Sequence, residues 1–397
     1  MLIGLILAIG IGILIGIITG LFPGIHINLV GAFLITLSYS LFNQFSMIYL
    51  VVFISALAIT HTFIDFIPSI FLGCPDTDTE LSVLPGHEML KQGKGYEAVM
   101  RTAYGGLSGV ILLVILSFPL SLLLSKIYPP IQKIIPYILI LVCIIMVLSE
   151  KNKFKSFLVL ILTGILGTFV LDLNLKEPLL PLLSGLFGSS MLLLSIKQKT
   201  KIPTQKISFE KIKLKNMLRP LSGAIIASPL CGFLPGLGGG QAAVIGNQIS
   251  RTNTKDFLLL LGTVNVLVMG LSFVSLYSIS KTRTGAAAAV QSLLGQINLP
   301  TLLLILLVCL ISGIASFFLV KKLSIIFLKY IEKINYNKLS KGIIIFLAIL
   351  ILIISGILGL FIFILSTAVG YYCIQLNVKK TQMMGCLLIP TILLYLF

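Results

Sequence analysis

Charged residues are scarce in this sequence. Only 10% of the 397 residues are Asp, Glu, Lys or Arg, whereas 57% are hydrophobic. A soluble domain could not cover that much apolar surface with so few charges. Uninterrupted apolar runs such as Gly342–Phe363 also exclude the alternating pattern of a membrane β-barrel strand. The composition therefore predicts an all-α, polytopic transmembrane helical bundle with about ten to twelve hydrophobic segments, some of them too short to span fully.

Acidic residues are rarer than basic ones, with 12 Asp and Glu against 29 Lys and Arg and a net charge of +17. The basic residues stand between hydrophobic segments, which is typical of cytoplasmic loops and not of a nucleic-acid-binding surface. No charged residue precedes Asp65. The basic region of a cleavable signal peptide is therefore missing, and the first segment is expected to remain as a membrane helix.

Clustered metal ligands are also lacking. The six cysteines stand singly, without a CxxC pair or a Cys/His ligand spacing. Neither a zinc site nor a disulfide framework is predicted, and we expect the cysteines to be small apolar residues inside helices. We predict no metal and no cofactor.

Two similar motifs indicate that the chain consists of two halves. Gly20–Gly24 reads GLFPG and Gly232–Gly236 reads GFLPG, each after an apolar segment. The segment Lys197–Arg219 carries eight basic residues and the single acid Glu210, and it is the longest polar stretch. We predict a first transmembrane repeat at 1–196, a basic cytoplasmic linker at 197–219 and a second repeat at 220–397.

The basic loops predict that the two halves have opposite orientations. The loop Ser125–Lys133 should be external, because one crossing separates it from the basic cluster Lys151–Lys155. Its counterpart in the second half follows Leu302–Val320 and is strongly basic, so it should be cytoplasmic. Equivalent loops on opposite sides predict inverted-topology repeats with an external N-terminus, a common plan among transporters.

The two Pro-Gly motifs are the candidate substrate site. Pro removes a backbone donor and Gly relieves the backbone, so each motif should break a helix and produce broken or re-entrant helices. Helix N-termini at the membrane midplane present N–H groups and positive dipole ends to anions. The alternative is a proline kink or a tight hairpin that binds nothing. The candidate substrate-binding residues are Pro23, Gly24, His26, Asn28, Pro235, Gly236, Gly238, Gly239, Gly240 and Gln241.

Ionisable residues inside apolar segments are costly and are therefore candidates for ion coupling. Asp65 and His61 lie in such a segment and are the predicted ion-coupling residues. Asp65 would bind a proton or Na⁺, or alternatively pair with a basic residue such as Arg101. Each of His26, His61 and His87 could be a proton-coupling group or a hydrogen-bonded structural histidine. Asn247 and Asn265 are weaker candidates that could simply link helices.

These motifs resemble those of the large membrane subunit of tripartite tricarboxylate transporters, the TctA family. That family carries a GxxPG segment in each half and a stretch like DGYPMAKQGRAGPAL in the first half. The corresponding stretch here is Leu84–Ala98, with the G-x-x-M-x-K-Q-G-K spacing. The first loop departs from the family's PGLGP, and Phe63–Ile70 lacks the family's Gly-Gly and hydroxyl residues. The resemblance implies cation-coupled carboxylate uptake, with a small membrane subunit and an extracytoplasmic binding protein.

The sequence thus predicts a multi-pass permease of the cell membrane that carries a small organic anion, such as a carboxylate, with Na⁺ or H⁺ by secondary transport. One alternative is a translocase for a polyprenyl-phosphate-type lipid, whose site would open sideways to the bilayer. An intramembrane enzyme is a further alternative, but HExxH and GxSxG motifs are lacking. A passive channel is less well supported, because two inverted broken-helix motifs favour alternating access.

Overall fold

The structure is a computed structural model that describes residues 2–22, 46–73, 79–173, 175, 177–197, 203–210, 212–233, 239–331 and 336–396. The α-helices are α1 (Leu2–Leu21), α2 (Met47–Ile64), α3 (Phe66–Leu72), α4 (Val83–Lys91), α5 (Gly95–Leu148), α6 (Lys153–Asp172), α7 (Leu179–Leu183), α8 (Ser190–Lys197), α9 (Leu214–Phe233), α10 (Gly239–Ser250), α11 (Thr254–Ile279), α12 (Gly285–Leu294), α13 (Leu299–Ile331), α14 (Tyr336–Gln375) and α15 (Gly385–Leu396). Two 3₁₀ turns lie at Glu80–Ser82 and Lys380–Met384, and a π-helical turn lies at Ser184–Ser189.

The described helices have the length and the apolar surface of membrane-spanning helices. Eight helical segments are long and apolar enough to cross a membrane, and three shorter apolar helices accompany them. Large apolar side chains such as Phe118, Ile353, Ile357 and Phe361 remain exposed on the outside, as lipid-facing residues do. The all-α, multi-pass membrane class that the composition predicts is confirmed.

Helix α11 is the centre of the bundle. Every side chain from Phe257 to Leu276 is buried. Helix α5 runs parallel to it: Arg101 is near Asp256, Gly105 accepts a hydrogen bond from Thr263 Oγ1 at 3.0 Å, and Gly270 packs on Leu113 further along. Glycines at this contact let the two backbones approach closely.

A second group of helices runs in the opposite direction. Helices α1 and α2 are parallel, because Gly4 packs on Tyr49 and Gly20 packs on Ile64. Helix α13 runs the same way, since Ser316 Oγ donates to Thr60 Oγ1 at 3.1 Å and Phe327 stacks on Phe71. Against α5, however, α13 is antiparallel: Phe317 meets Tyr104 near the start of α5, while Gly313 meets Val110.

These directions match those that inverted halves would have. Helices α1 and α2 of the first half oppose α9 and α11 of the second half, and α5 opposes α13. The start of α9 and the start of α11 lie at the same end of the bundle, because Glu210, shortly before α9, binds Lys255 at 2.9 Å. The inverted repeat and the linker boundaries at 197–219 remain predictions.

Ser125–Lys133 is helical and not the predicted loop, because α5 continues through these residues. Its external position remains a prediction. A straight helix of 54 residues would be about 80 Å long, yet the two ends of α5 are close together. Gln382 Nε2 donates to the Met146 carbonyl at 2.9 Å, and the nearby Lys380 interacts electrostatically with His87, just before the start of α5. Helix α5 therefore bends back between its apolar parts, Gly95–Leu124 and Lys133–Leu148.

The basic linker packs on the bundle in its described part, 203–210. Gln205 is buried, accepts from the Gly95 amide at 2.9 Å and donates to the Leu90 carbonyl at 2.9 Å. Phe209 stacks on Tyr104 with ring centroids 4.8 Å apart. These contacts hold the linker across the start of α5.

Candidate functional site

The structure describes part of the second Pro-Gly site. Pro23, Gly24, His26 and Asn28 of the first loop lie outside the described residues, as do Pro235, Gly236 and Gly238 of the second loop. The described members are Gly239, Gly240 and Gln241, which form the first turn of α10 and are all buried.

Helices α9 and α10 pack against each other as a hairpin, with Gly223 resting on Gly246. Helix α10 has 12 residues and is therefore about 18 Å long, too short to cross a hydrocarbon layer of about 30 Å. Asn247 Oδ1 accepts from the Thr252 amide at 3.2 Å near the end of α10, so this asparagine has a local capping role. The buried first turn of α10 agrees with a re-entrant helix that ends inside the protein.

A carboxylate lies directly against this turn. A Cβ atom added to Gly240 would overlap Glu80 Oε1, and it would lie 2.8 Å from Met384 Cε. Glu80 is 0% exposed. Only a residue without a side chain leaves room for this carboxylate at the helix start, where the helix dipole stabilises negative charge.

Glu80 is not among the site residues that the sequence predicts. It follows Asp76 and Asp78 in a polar stretch that is typical of an exposed loop, directly before the segment that carries the family resemblance. The one signal in the sequence is its position between two apolar segments. Its approach to Gly240 joins residues far apart in the chain, and no local pattern encodes such a contact.

Hydroxyl groups hold the turn that carries Glu80. Ser82 Oγ donates to the Thr79 carbonyl at 2.7 Å, and the hydroxyls of Ser69 and Thr79 share a hydrogen bond of 2.6 Å. The Ser69 amide in turn donates to the Asp65 carbonyl at 3.3 Å. Helix α3 thus connects Glu80 to the predicted coupling residue Asp65.

Asp65 lies at the junction of α2 and α3 and is 5% exposed. Asn265 of α11 donates to Asp65 Oδ2 at 3.3 Å and to the Thr62 carbonyl at 3.2 Å. The alternative pairing of Asp65 with Arg101 is not observed. Arg101 instead binds Glu97 at 2.9 Å and lies 3.6 Å from Asp256. All three residues lie near the starts of α5 and α11, at one end of the bundle.

The described histidines, His61 and His87, lie in different surroundings. His61 is buried on α2, with Nδ1 3.1 Å from Thr19 Oγ1 of α1. His87 is buried on α4, beside Gly73. Burial, together with the charges of Lys91 and Lys380, lowers the pKa of His87 to about 4, so this imidazole is neutral at physiological pH. His26 lies outside the described residues.

Within the described part of the chain, no group of three His, Cys, Asp or Glu residues is placed to hold a metal ion. The site instead consists of two buried acids, a glycine-containing helix start, amides and hydroxyls.

Membrane-length helices around a short helix with a buried first turn, together with buried acids, are typical of a multi-pass membrane protein of the transporter type. The chain matches the family described as the Tripartite tricarboxylate transporter TctA family over residues 6–385. It therefore belongs to this family of membrane transporter components. The chain is also 32% identical, over 97% of its length, to a Methanocaldococcus jannaschii protein described as an uncharacterized protein, of which 98% is covered. No solved structure matches this chain.

Proposed function

We propose that this protein is a secondary transporter that binds an organic anion, such as a carboxylate, at the first turn of α10 and couples its movement to a cation. The single observation that carries the proposal is the buried first turn of α10, in which Gly239, Gly240 and Gln241 start a helix inside the protein.

The chemistry of a helix start selects for anions. Partial positive charge of about half an elementary charge is concentrated there, and it is screened least where water is excluded. A cation substrate would instead need a site made of carboxylates or of helix C-terminal carbonyls, away from a helix start. The carboxylate of Glu80 at Gly240 illustrates that this position accommodates a carboxylate group.

The first Pro-Gly loop, with Pro23, Gly24, His26 and Asn28, is proposed to complete the site from the other half. Asp65 and His61 are proposed to take part in coupling to H⁺ or Na⁺, since both are buried on α2 and its end. By analogy with the family, a small membrane subunit and an extracytoplasmic binding protein are proposed partners.

The test is thermal stabilisation of the purified protein by citrate, succinate, inorganic phosphate, a polyprenyl phosphate and simple cations. We expect carboxylates to stabilise the protein, and Gly239→Val to abolish this response without unfolding it. Gly342→Val is the matched control, because a Cβ at Gly342 meets nothing within 4 Å. His26→Ala should weaken the response less, since it removes one donor of several.

Two results would count against the site. Stabilisation by cations alone would contradict an anion substrate. An unaltered carboxylate response in Gly239→Val would show that the anion binds elsewhere. A response to polyprenyl phosphate without any response to citrate or succinate would favour the lipid translocase.

A further inference from the structure

Glu80 is an acid inside the proposed anion site. Its carboxylate lies against Gly240 at the first turn of α10, and its side chain is completely buried. An ionised Glu80 places negative charge where a substrate carboxylate would bind. Two carboxylates that share a site do not both ionise readily, so substrate and ionised Glu80 compete for the same helix start.

Burial disfavours the ionised form of Glu80, whereas the helix start favours it. A second negative charge at the helix start would add to the first of these effects and favour the protonated form of Glu80. Arrival of a substrate carboxylate would drive Glu80 to take up a proton.

Other ionisable groups near Glu80 belong to several segments. The 3₁₀ turn of Glu80 packs against α3, α4, α11 and the π-helical turn, and the Cys386 thiol of α15 interacts electrostatically with Glu80. Helix α3 and the π-helical turn contain no ionisable residue. The ionisable side chains on or next to these segments, including the neighbouring 3₁₀ turn, are Asp65, His87, Glu88, Lys91, Lys255, Asp256, Tyr277, Lys379, Lys380, Cys386 and Tyr395.

Several of these groups have partners of their own. Lys91 and Lys380 interact electrostatically with Glu88. Lys255 and Asp256 stand at the first turn of α11 and contact Glu97 and Arg101 respectively. His87 is neutral, as its low pKa shows. Cys386 is buried and adds no positive charge. Glu80 is the acid that lies against the first turn of α10.

We propose that Glu80 is a proton-coupling residue, which must be protonated for the anion to occupy the first turn of α10. The inference rests on the proposed function and makes the proton the coupling ion. On the loading side Glu80 takes one proton from water as the anion binds. On the other side the anion leaves, Glu80 releases the same proton to water, and the carboxylate returns to Gly240.

The experiment measures citrate and succinate affinity by calorimetry across about pH 5 to 8, where a buried carboxyl group can titrate. It compares the full-length protein with Glu80→Gln, which imitates the protonated acid. Glu88→Gln is the matched control, because Glu88 is an exposed glutamate on the adjacent helix α4. Ionisation of the ligand itself is common to all three proteins, so their difference isolates Glu80.

We expect the affinity of the unmodified protein to fall, by up to about tenfold per pH unit, above the pKa of Glu80, as binding linked to one proton requires. Glu80→Gln should keep its low-pH affinity at high pH, and Glu88→Gln should behave like the unmodified protein. An equal pH slope in Glu80→Gln would overturn the inference and leave the proposed anion transport intact. If none of the proteins binds either anion, the proposed function fails, and this inference fails with it.

A second measurement does not depend on the folding of a variant. Succinate binding to the unmodified protein, in a weak buffer at a pH where succinate is fully ionised, should withdraw up to about one proton per anion bound. Binding without proton uptake would refute the role of Glu80, as would a citrate affinity that follows Na⁺ concentration but not pH.

Discussion

The contact of Gly240 with Glu80 gives a prediction about stability. In Gly240→Ala, the new Cβ overlaps Glu80 Oε1 and approaches Met384 Cε to 2.8 Å. The end of Met384 can move, but Glu80 is 0% exposed and its turn is fixed by the hydrogen bonds of Thr79. The strain therefore cannot be relieved by turning the carboxylate into water.

The expected cost follows from two opposing terms. Overpacking in a closely packed site costs about 1–3 kcal/mol. Replacing Gly by Ala within a helix contributes about 0.5–1 kcal/mol of stability. Gly342→Ala, in the open first turns of α14, has only the second term because its Cβ meets nothing within 4 Å. The free energies of unfolding of the two variants should therefore differ by about 1–3 kcal/mol.

A fluorogenic thiol reagent can follow unfolding, because the five described cysteines are buried. The background should be Cys74→Ser, since Cys74 lies outside the described residues. In a double-mutant cycle with Glu80→Ala, the cost of Gly240→Ala should largely disappear, because the overlapping oxygen is gone. An equal cost of Gly240→Ala with and without Glu80 would refute the contact and the reasoning built on it.

Three further predictions concern coupling, topology and pH. Asp65→Asn should abolish ion-driven accumulation of the substrate in proteoliposomes but retain substrate exchange. The control Asp172→Asn, at the exposed end of α6, should retain both. Unchanged accumulation in Asp65→Asn would make Asp65 a structural residue. In a cysteine-free background, cysteines introduced at Ser208 and at Gln132 should differ in labelling by an impermeant thiol reagent applied from outside, and equal labelling would contradict the inverted arrangement. Because the folded pKa of His87 is about 4, below that of an unfolded histidine, protonation favours the unfolded chain. Stability should fall as pH drops from about 6.5 to about 4, by up to about 3 kcal/mol. His87→Gln should show a smaller fall in pH-dependent thermal unfolding, and an identical profile would contradict the assignment.

Local patterns are sufficient for the membrane class, and they select candidate residues for the site. Apolar runs and basic loops predicted the multi-pass bundle because each helix must satisfy its own backbone in lipid. Asp65 was recognisable because a lone acid in an apolar segment is costly, and it is indeed buried. Gly239 and Gly240 of α10 are recognisable because they belong to a run of three glycines that follows a Pro-Gly motif.

The remaining features depend on contacts between distant segments. The sequence predicts a loop at Ser125–Lys133, but the chain remains helical there and reverses by bending. Gly356 breaks the geometry of α14 with a φ of 69°, within an apolar run that looks continuous. Glu97 and Asp256 come together at Arg101 only when α5 and α11 pack in parallel. The partner of Arg101 could not be chosen from the sequence, because several acids were equally available.

The contacts of the two buried acids also explain why transport would need both halves. Asp65 and Glu80 lie in the predicted first half, whereas the groups beside them, Asn265 and the Gly240 backbone, lie in the predicted second half. A shift of one half against the other would alter the surroundings of both acids at once, and Ser69 and Thr79 would pass the change along α3. Alternating access requires this linkage, because the affinities for ion and substrate must change together when the site changes sides. An acid that contacted only its own half would be carried through the motion with its surroundings unchanged, and it could not couple an ion gradient to the movement of an anion.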